Sequence, residues 1–116
     1  LSRIQMSNVK QELRFKYKDA DKLPKVLEDI KDEIRKSCPE VIDDGSRPFR
    51  AYFTNYNSFW LDCIVDAHFR VKLLGDAYYE NRQNMLLAIN RAVKKNNIEF
   101  ALVDEEMVNA LFKAAK

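Results

Sequence analysis

His68 is the only histidine in this 116-residue chain, and Asp66 stands two residues before it. In an extended segment these side chains share a face, which is the placement a carboxylate needs to orient an imidazole as a general base. The rest of a catalytic centre does not follow. Nucleophilic chemistry needs an activated Ser or Cys and donors for a developing oxyanion, and no segment offers them. Cys38 and Cys63 have neither CxxC nor Cys/His spacing, which argues against a zinc site or disulfide scaffold and for a reducing compartment. Asp43/Asp44 and Asp104/Glu105/Glu106 lack the spacing and glycine of an EF-hand loop, and read instead as a turn and a helix N-terminus. Gly45 and Gly75 are the only two glycines, so no phosphate-binding glycine loop exists. The chain therefore reads as a non-enzyme, with no catalytic, metal or cofactor residues.

The elements that would position these residues follow from hydrophobic period. The hydrophobic fraction is 47%, the charged fraction 33% and the net charge +2, which describe one globular domain without a charge imbalance that by itself implies nucleic acid. No apolar run approaches the ~18 residues needed to span a bilayer. Val9, Gln11, Leu13, Phe15 and Tyr17 alternate with Lys10, Glu12, Arg14, Lys16 and Lys18, predicting a half-buried strand with a charged outer face. Asp19 or Asp21 is placed to cap a helix that has Pro24 in its first turn, apolar Leu23, Val26, Leu27, Ile30 and Ile34, and a stop at Cys38-Pro39.

Glu40 to Pro48 reads as a polar loop. Phe49–Thr54 and Phe59–Arg70 then form an antiparallel hairpin, with Leu61, Cys63, Val65, Ala67 and Phe69 inward on the longer strand. Gly75 and Asp76 open a second helix whose stripe is Tyr79, Leu86, Ile89 and Val93, widened by Met85 and Ala92. Ile98, Phe100 and Leu102 give a short fourth strand, and Asp104 caps a possible short C-terminal helix carrying Met107, Val108, Leu111 and Phe112. The order β-α-β-β-α-β predicts an α+β ferredoxin-like sandwich, a four-stranded antiparallel sheet with two helices on one face.

That arrangement leaves the outer sheet face open. It carries Lys10, Arg14, Lys16 and Lys18 from the first strand, Arg50 and Tyr52 from the second, and Trp60, Ile64 and His68 from the third. Basic residues interleaved with aromatics suit stacked single-stranded RNA. The third strand, Trp60 to Asp66, lacks the Gly/Phe-rich RNA-recognition signature, and Asp62 and Asp66 repel phosphate. The face reads as a protein interface centred on Tyr52, Trp60 and Ile64, ahead of a merely solvated face and well ahead of nucleic acid.

Several segments resemble, in order, the C-terminal part of small-conductance mechanosensitive (MscS-like) ion channels. They are Leu1-Ser2-Arg3 through Val9–Tyr17, Asp19-Ala20-Asp21-Lys22-Leu23 opening a helix, Cys38-Pro39-Glu40-Val41 at its end, Phe69 to Val93, and Asn97-Ile98-Glu99-Phe100. The family often has Pro in the closing strand, where this chain has Ala101 and Leu102. The resemblance implies residues 1–8 as a linker from an upstream β domain, 9–102 as the ferredoxin-like domain and 103–116 as a tail or short helix. The chain begins without Met and in mid-pattern, consistent with a piece of a longer protein.

The resemblance further implies a domain on the inner, cytoplasmic or organelle-stromal, side of a membrane. There, copies of the same chain assemble, as a homoheptamer in that family, around a vestibule that supports the oligomer and sieves solutes rather than gating. Lys10, Arg14, Lys16 and Lys18 become candidate ion-biasing charges. The alternative is a free-standing ferredoxin-like module that binds single-stranded RNA or a small regulatory ligand.

Overall fold

The computed structural model describes residues 6–101 and Lys113. The chain runs β1 (Ser7–Phe15), a 3-10 helix (Tyr17–Lys22), α1 (Leu23–Ser37), β2 (Arg50–Tyr56), β3 (Leu61–Phe69) and α2 (Asp76–Lys95). The three strands form one antiparallel sheet in the order β1-β3-β2. Every second residue of β3, from Leu61 to Phe69, is buried. Those five side chains share one core with Val9, Leu13 and Phe15 of β1, with Leu23, Val26, Leu27, Ile30 and Ile34 of α1, and with Met85, Ala88, Ile89, Ala92 and Val93 of α2. Both helices therefore cover the same side of the sheet, and burial of each large aliphatic side chain there contributes about 1.5–3 kcal/mol.

The expected four-stranded ferredoxin-like sheet is corrected to three strands. The fourth segment is reduced to one antiparallel bridge between Phe100 and Phe15. The Ala101 N–H donates to the Arg14 carbonyl at 2.8 Å, so the segment lies on the β1 edge where a fourth strand belongs. Asn97 turns the chain at φ 57° after α2, and the stacked rings of Phe15 and Phe100, 5.4 Å apart, fix the contact. Leu102 and the expected C-terminal helix with Met107, Val108, Leu111 and Phe112 lie outside the described residues, as do residues 1–5 of the expected linker.

Other expectations change locally. β1 starts at Ser7 and stops at Phe15, so Tyr17, expected inward, is exposed on the 3-10 turn. Neither Asp19 nor Asp21 caps α1. Its N-cap is Lys22, without a side-chain cap, and Asp19 is instead buried in the preceding turn with one carboxylate oxygen unpartnered. The loop after α1 is not wholly polar. Ile42 is buried, its N–H donates to the His68 carbonyl at 2.8 Å, and Val41 bridges Phe69.

On α2, Met85, Ile89, Ala92 and Val93 are buried as expected, but the rest of the stripe differs. Tyr78, Asn81 and Ala88 are buried, whereas Tyr79 and Leu86 point outward. Ala88 and Ala92 fill part of the inner face with fully buried small side chains.

Candidate interaction surface

β3 is the middle strand, so its outer residues are flanked by β1 and β2 and are half-buried. The register sets three cross-strand rows: Arg14, Asp62 and Asn55; Glu12, Ile64 and Tyr52; Lys10, Asp66 and Arg50. Lys10, Asp66 and Arg50 alternate in sign across the sheet, and Arg14 faces Asp62. The face is therefore locally neutralised and is not a continuous basic track for a phosphate backbone.

The three candidate interface residues divide. Ile64 and Tyr52 are direct cross-strand neighbours, with Tyr52 exposed. Trp60 is not a free anchor. The Arg14 guanidinium covers its ring at 4.4 Å from the centroid, and its Nε1 donates to Asp62 at 2.8 Å. Asn57 donates to the other carboxylate oxygen of Asp62 at 3.2 Å, so this end of the sheet is held as a polar network.

The candidate ion-biasing charges are not one stripe either. Lys10 and Arg14 are exposed on the outer face of β1. Lys16 lies past its end and pairs with Glu99 at 3.0 Å, a contact that holds the Glu99 carboxyl below its ordinary value. Lys18 sits exposed on the 3-10 turn.

His68 and Asp66 do not form a pair. His68 Nδ1 lies 3.0 Å from the Pro48 carbonyl, an acceptor, which places the proton on that nitrogen. Asp66 accepts from the Asn8 amide at 2.6 Å. Asp43 and Asp44 are held by Arg35 at 2.7 Å and Arg70 at 3.1 Å, and hydrogen bonds from Ser46 lower the Asp44 carboxyl. Among the described residues, no three His, Cys, Asp or Glu side chains group as metal ligands. Burial pushes the Cys63 thiol up to about 12 and raises that of Cys38, which leaves both as packing groups rather than nucleophiles.

The surface that sequence reasoning missed lies at the opposite sheet edge from β1. Between α1 and the free edge of β2 runs an apolar groove of about 280 Å³, floored by Ala20, Leu23, Leu27, Ala51 and Phe53 and rimmed by Glu28 and Tyr52. Beyond it, Tyr17 stacks on Tyr56 with centroids 6.3 Å apart, and Phe53 meets the Tyr56 ring edge-on at 5.0 Å. Arg50 and a bulge between Phe53 and Asn55 interrupt this edge strand, but residues Ala51 to Tyr56 include no charge and no proline, two of the usual devices that protect one. That absence was the available signal in the sequence.

No helix among the described residues is long and apolar enough to cross a membrane. No family model matches the chain, and no curated protein matches its sequence. Solved structures do match. The cryo-EM structure of the Arabidopsis thaliana MSL1 mechanosensitive channel superposes with a TM-score of 0.72 at 17% identity, covering 86% of this chain and 35% of that one. A second structure of the wild-type protein gives 0.71 at 17% identity, covering 84% and 33%. The chain thus shares the fold of part of MSL1, and spans about a third of the length of the solved structures it matches.

Proposed function

We propose that this chain is the soluble vestibule domain of an MscS-like mechanosensitive channel, a non-enzymatic part that supports oligomer assembly and solute sieving on the inner side of the membrane. The observation that carries the reading is the superposition on MSL1 over 86% of the chain. The ordered segments from Leu1 to Phe100 that resemble the same family support it independently. The partners are further copies of the chain, as a homoheptamer by the family's pattern, and the membrane helices that sense tension belong to other parts of the protein. Solute selection at such a domain works through pore dimensions and local potential, to which exposed lysines contribute.

The RNA-binding alternative loses ground to the outer face itself, where Asp62, Asp66 and Glu12 interrupt the basic residues. The test is the parent reading frame and its product. Apolar spans and a small β domain encoded ahead of Leu1, and tension-activated currents from the full protein in patches, are expected. A reading frame without membrane spans overturns the proposal.

A further inference from the structure

The groove beside β2 has a counterpart on the same molecule. On α2, Tyr79 and Leu86 are 54% and 39% exposed. At 100° per residue they lie within about 20° of each other around the helix. Arg91, which reaches Glu33 and Ser37 on α1, lies about 120–140° away on the same count. Tyr79 and Leu86 therefore form a convex ridge on the flank of α2 turned away from α1, whereas the groove opens on the far side of α1, against β2.

One pair of opposite charges stands beside the two surfaces, although Asp76 also lies one turn from Tyr79. Glu28 rims the groove next to Leu27, and Arg82 lies one turn from both Tyr79 and Leu86. Both are exposed, and neither forms an ion pair among the described residues, although α1 is otherwise laced with them through Asp29, Asp32 and Glu33.

We propose that the groove of one copy receives the α2 ridge of a second copy, with Tyr79 and Leu86 over Leu23, Leu27 and Phe53, and Arg82 meeting Glu28. The inference rests on the reading of the chain as a homo-oligomer and specifies how the copies meet. The two surfaces differ and lie on opposite flanks, so the contact is heterologous and propagates from copy to copy, rather than closing as a two-fold dimer. Tyr and Arg are residue types that commonly dominate such contacts once desolvated.

The test is sedimentation of the 116-residue chain across a concentration series, with Glu28→Arg, Arg82→Glu, the double variant and an equimolar mixture of the two single variants. Both sites are at the surface, so far-UV circular dichroism and melting temperature should match the parent chain. Each single reversal sets like charges against each other and should weaken association about tenfold or more. The double variant and the mixture should both restore it, which a folding defect would not do. Three results overturn the proposal: a parent chain that stays monomeric throughout, association indifferent to all four conditions, or self-crosslinking of Glu28→Cys, which would place two grooves face to face. Indifferent association would leave the homo-oligomer reading standing. A reading frame without membrane spans would remove the channel reading without altering the sedimentation result.

Discussion

The Arg14 guanidinium lies over the Trp60 ring, 4.4 Å from its centroid, and thereby joins the outer face of β1 to the residue just ahead of β3. The ring is fixed from its edge as well, through Nε1 to Asp62 at 2.8 Å. Trp60 is the only tryptophan, so its emission reports this site without interference from another indole. Arg14→Gln should shift Trp60 emission to the red and lower stability by about 0.5–1 kcal/mol, the usual worth of an exposed cation–π contact. Steady-state fluorescence and urea denaturation check both. Unchanged emission would mean that the ring is not covered by this side chain.

Asp29 ties the two helices together. Asn96 donates to its carboxylate at 2.9 Å from the end of α2, and Lys25 pairs with it at 2.9 Å within α1. The Asn96 hydrogen bond first, and then Lys25, lower the Asp29 carboxyl from its ordinary value. A depressed carboxyl contributes stability that is present above the unfolded pKa, around 4, and is lost as pH falls through the folded value. Asn96→Ala should therefore cost about 1 kcal/mol at neutral pH. The difference from the parent chain should shrink as pH drops below about 4. Denaturation at stepped pH and carboxyl-carbon NMR titration of Asp29 measure the two effects.

Cys63 works in the opposite direction. Its thiol is buried at the centre of β3, with its pKa pushed up to about 12 chiefly by desolvation. The unfolded thiol ionises near 8.5, so above that pH the unfolded state sheds a proton that the folded state retains, and stability falls as pH rises. Native chain should resist a thiol reagent at pH 8 and react fully in denaturant. Cys63→Ala should flatten the alkaline loss of stability while leaving a small cavity. Rapid labelling of Cys63 in native buffer would contradict the burial.

What could be read from the residues alone tracks the strength of the period. β3 alternates without a break from Leu61 to Phe69, so its inner stripe was legible residue by residue. On α2, Met85, Ile89, Ala92 and Val93 were legible, but Tyr79 and Leu86 were expected inward in place of Tyr78, Asn81 and Ala88, because a polar Asn81 and a small Ala88 carry little hydrophobic signal. The fourth strand looked sufficient in Ile98, Phe100 and Leu102. Alternation over so few residues does not determine how many bridges form, and among the described residues one does. The apolar groove was invisible for a related reason. It is made by Ala20 and Leu23 before and at the start of α1 meeting Phe53 of β2, and that proximity exists only once the helix is laid on the edge strand.

The four cations near β1 make separable contributions to any potential at a pore opening. Lys16 is neutralised by Glu99 at 3.0 Å, and the Arg14 charge is held over an aromatic face beside Asp62. Lys10 and Lys18 are exposed and form no ion pair among the described residues, although Asp66 faces Lys10 across the sheet and Glu99 lies near Lys18. At physiological ionic strength that potential decays over about 8 Å, so only charges close to the permeation path act. On the proposed channel function, neutralising Lys10, Arg14, Lys16 and Lys18 together in the full-length protein should move the reversal potential in a salt gradient toward cation preference. Lys10→Gln with Lys18→Gln should reproduce part of that shift, and Lys16→Gln alone, by leaving Glu99 unpaired, should also move it toward cations. Reversal potentials that stay fixed for the quadruple variant would remove these residues from ion selection, and would confine the role of β1 to the sheet it helps to build.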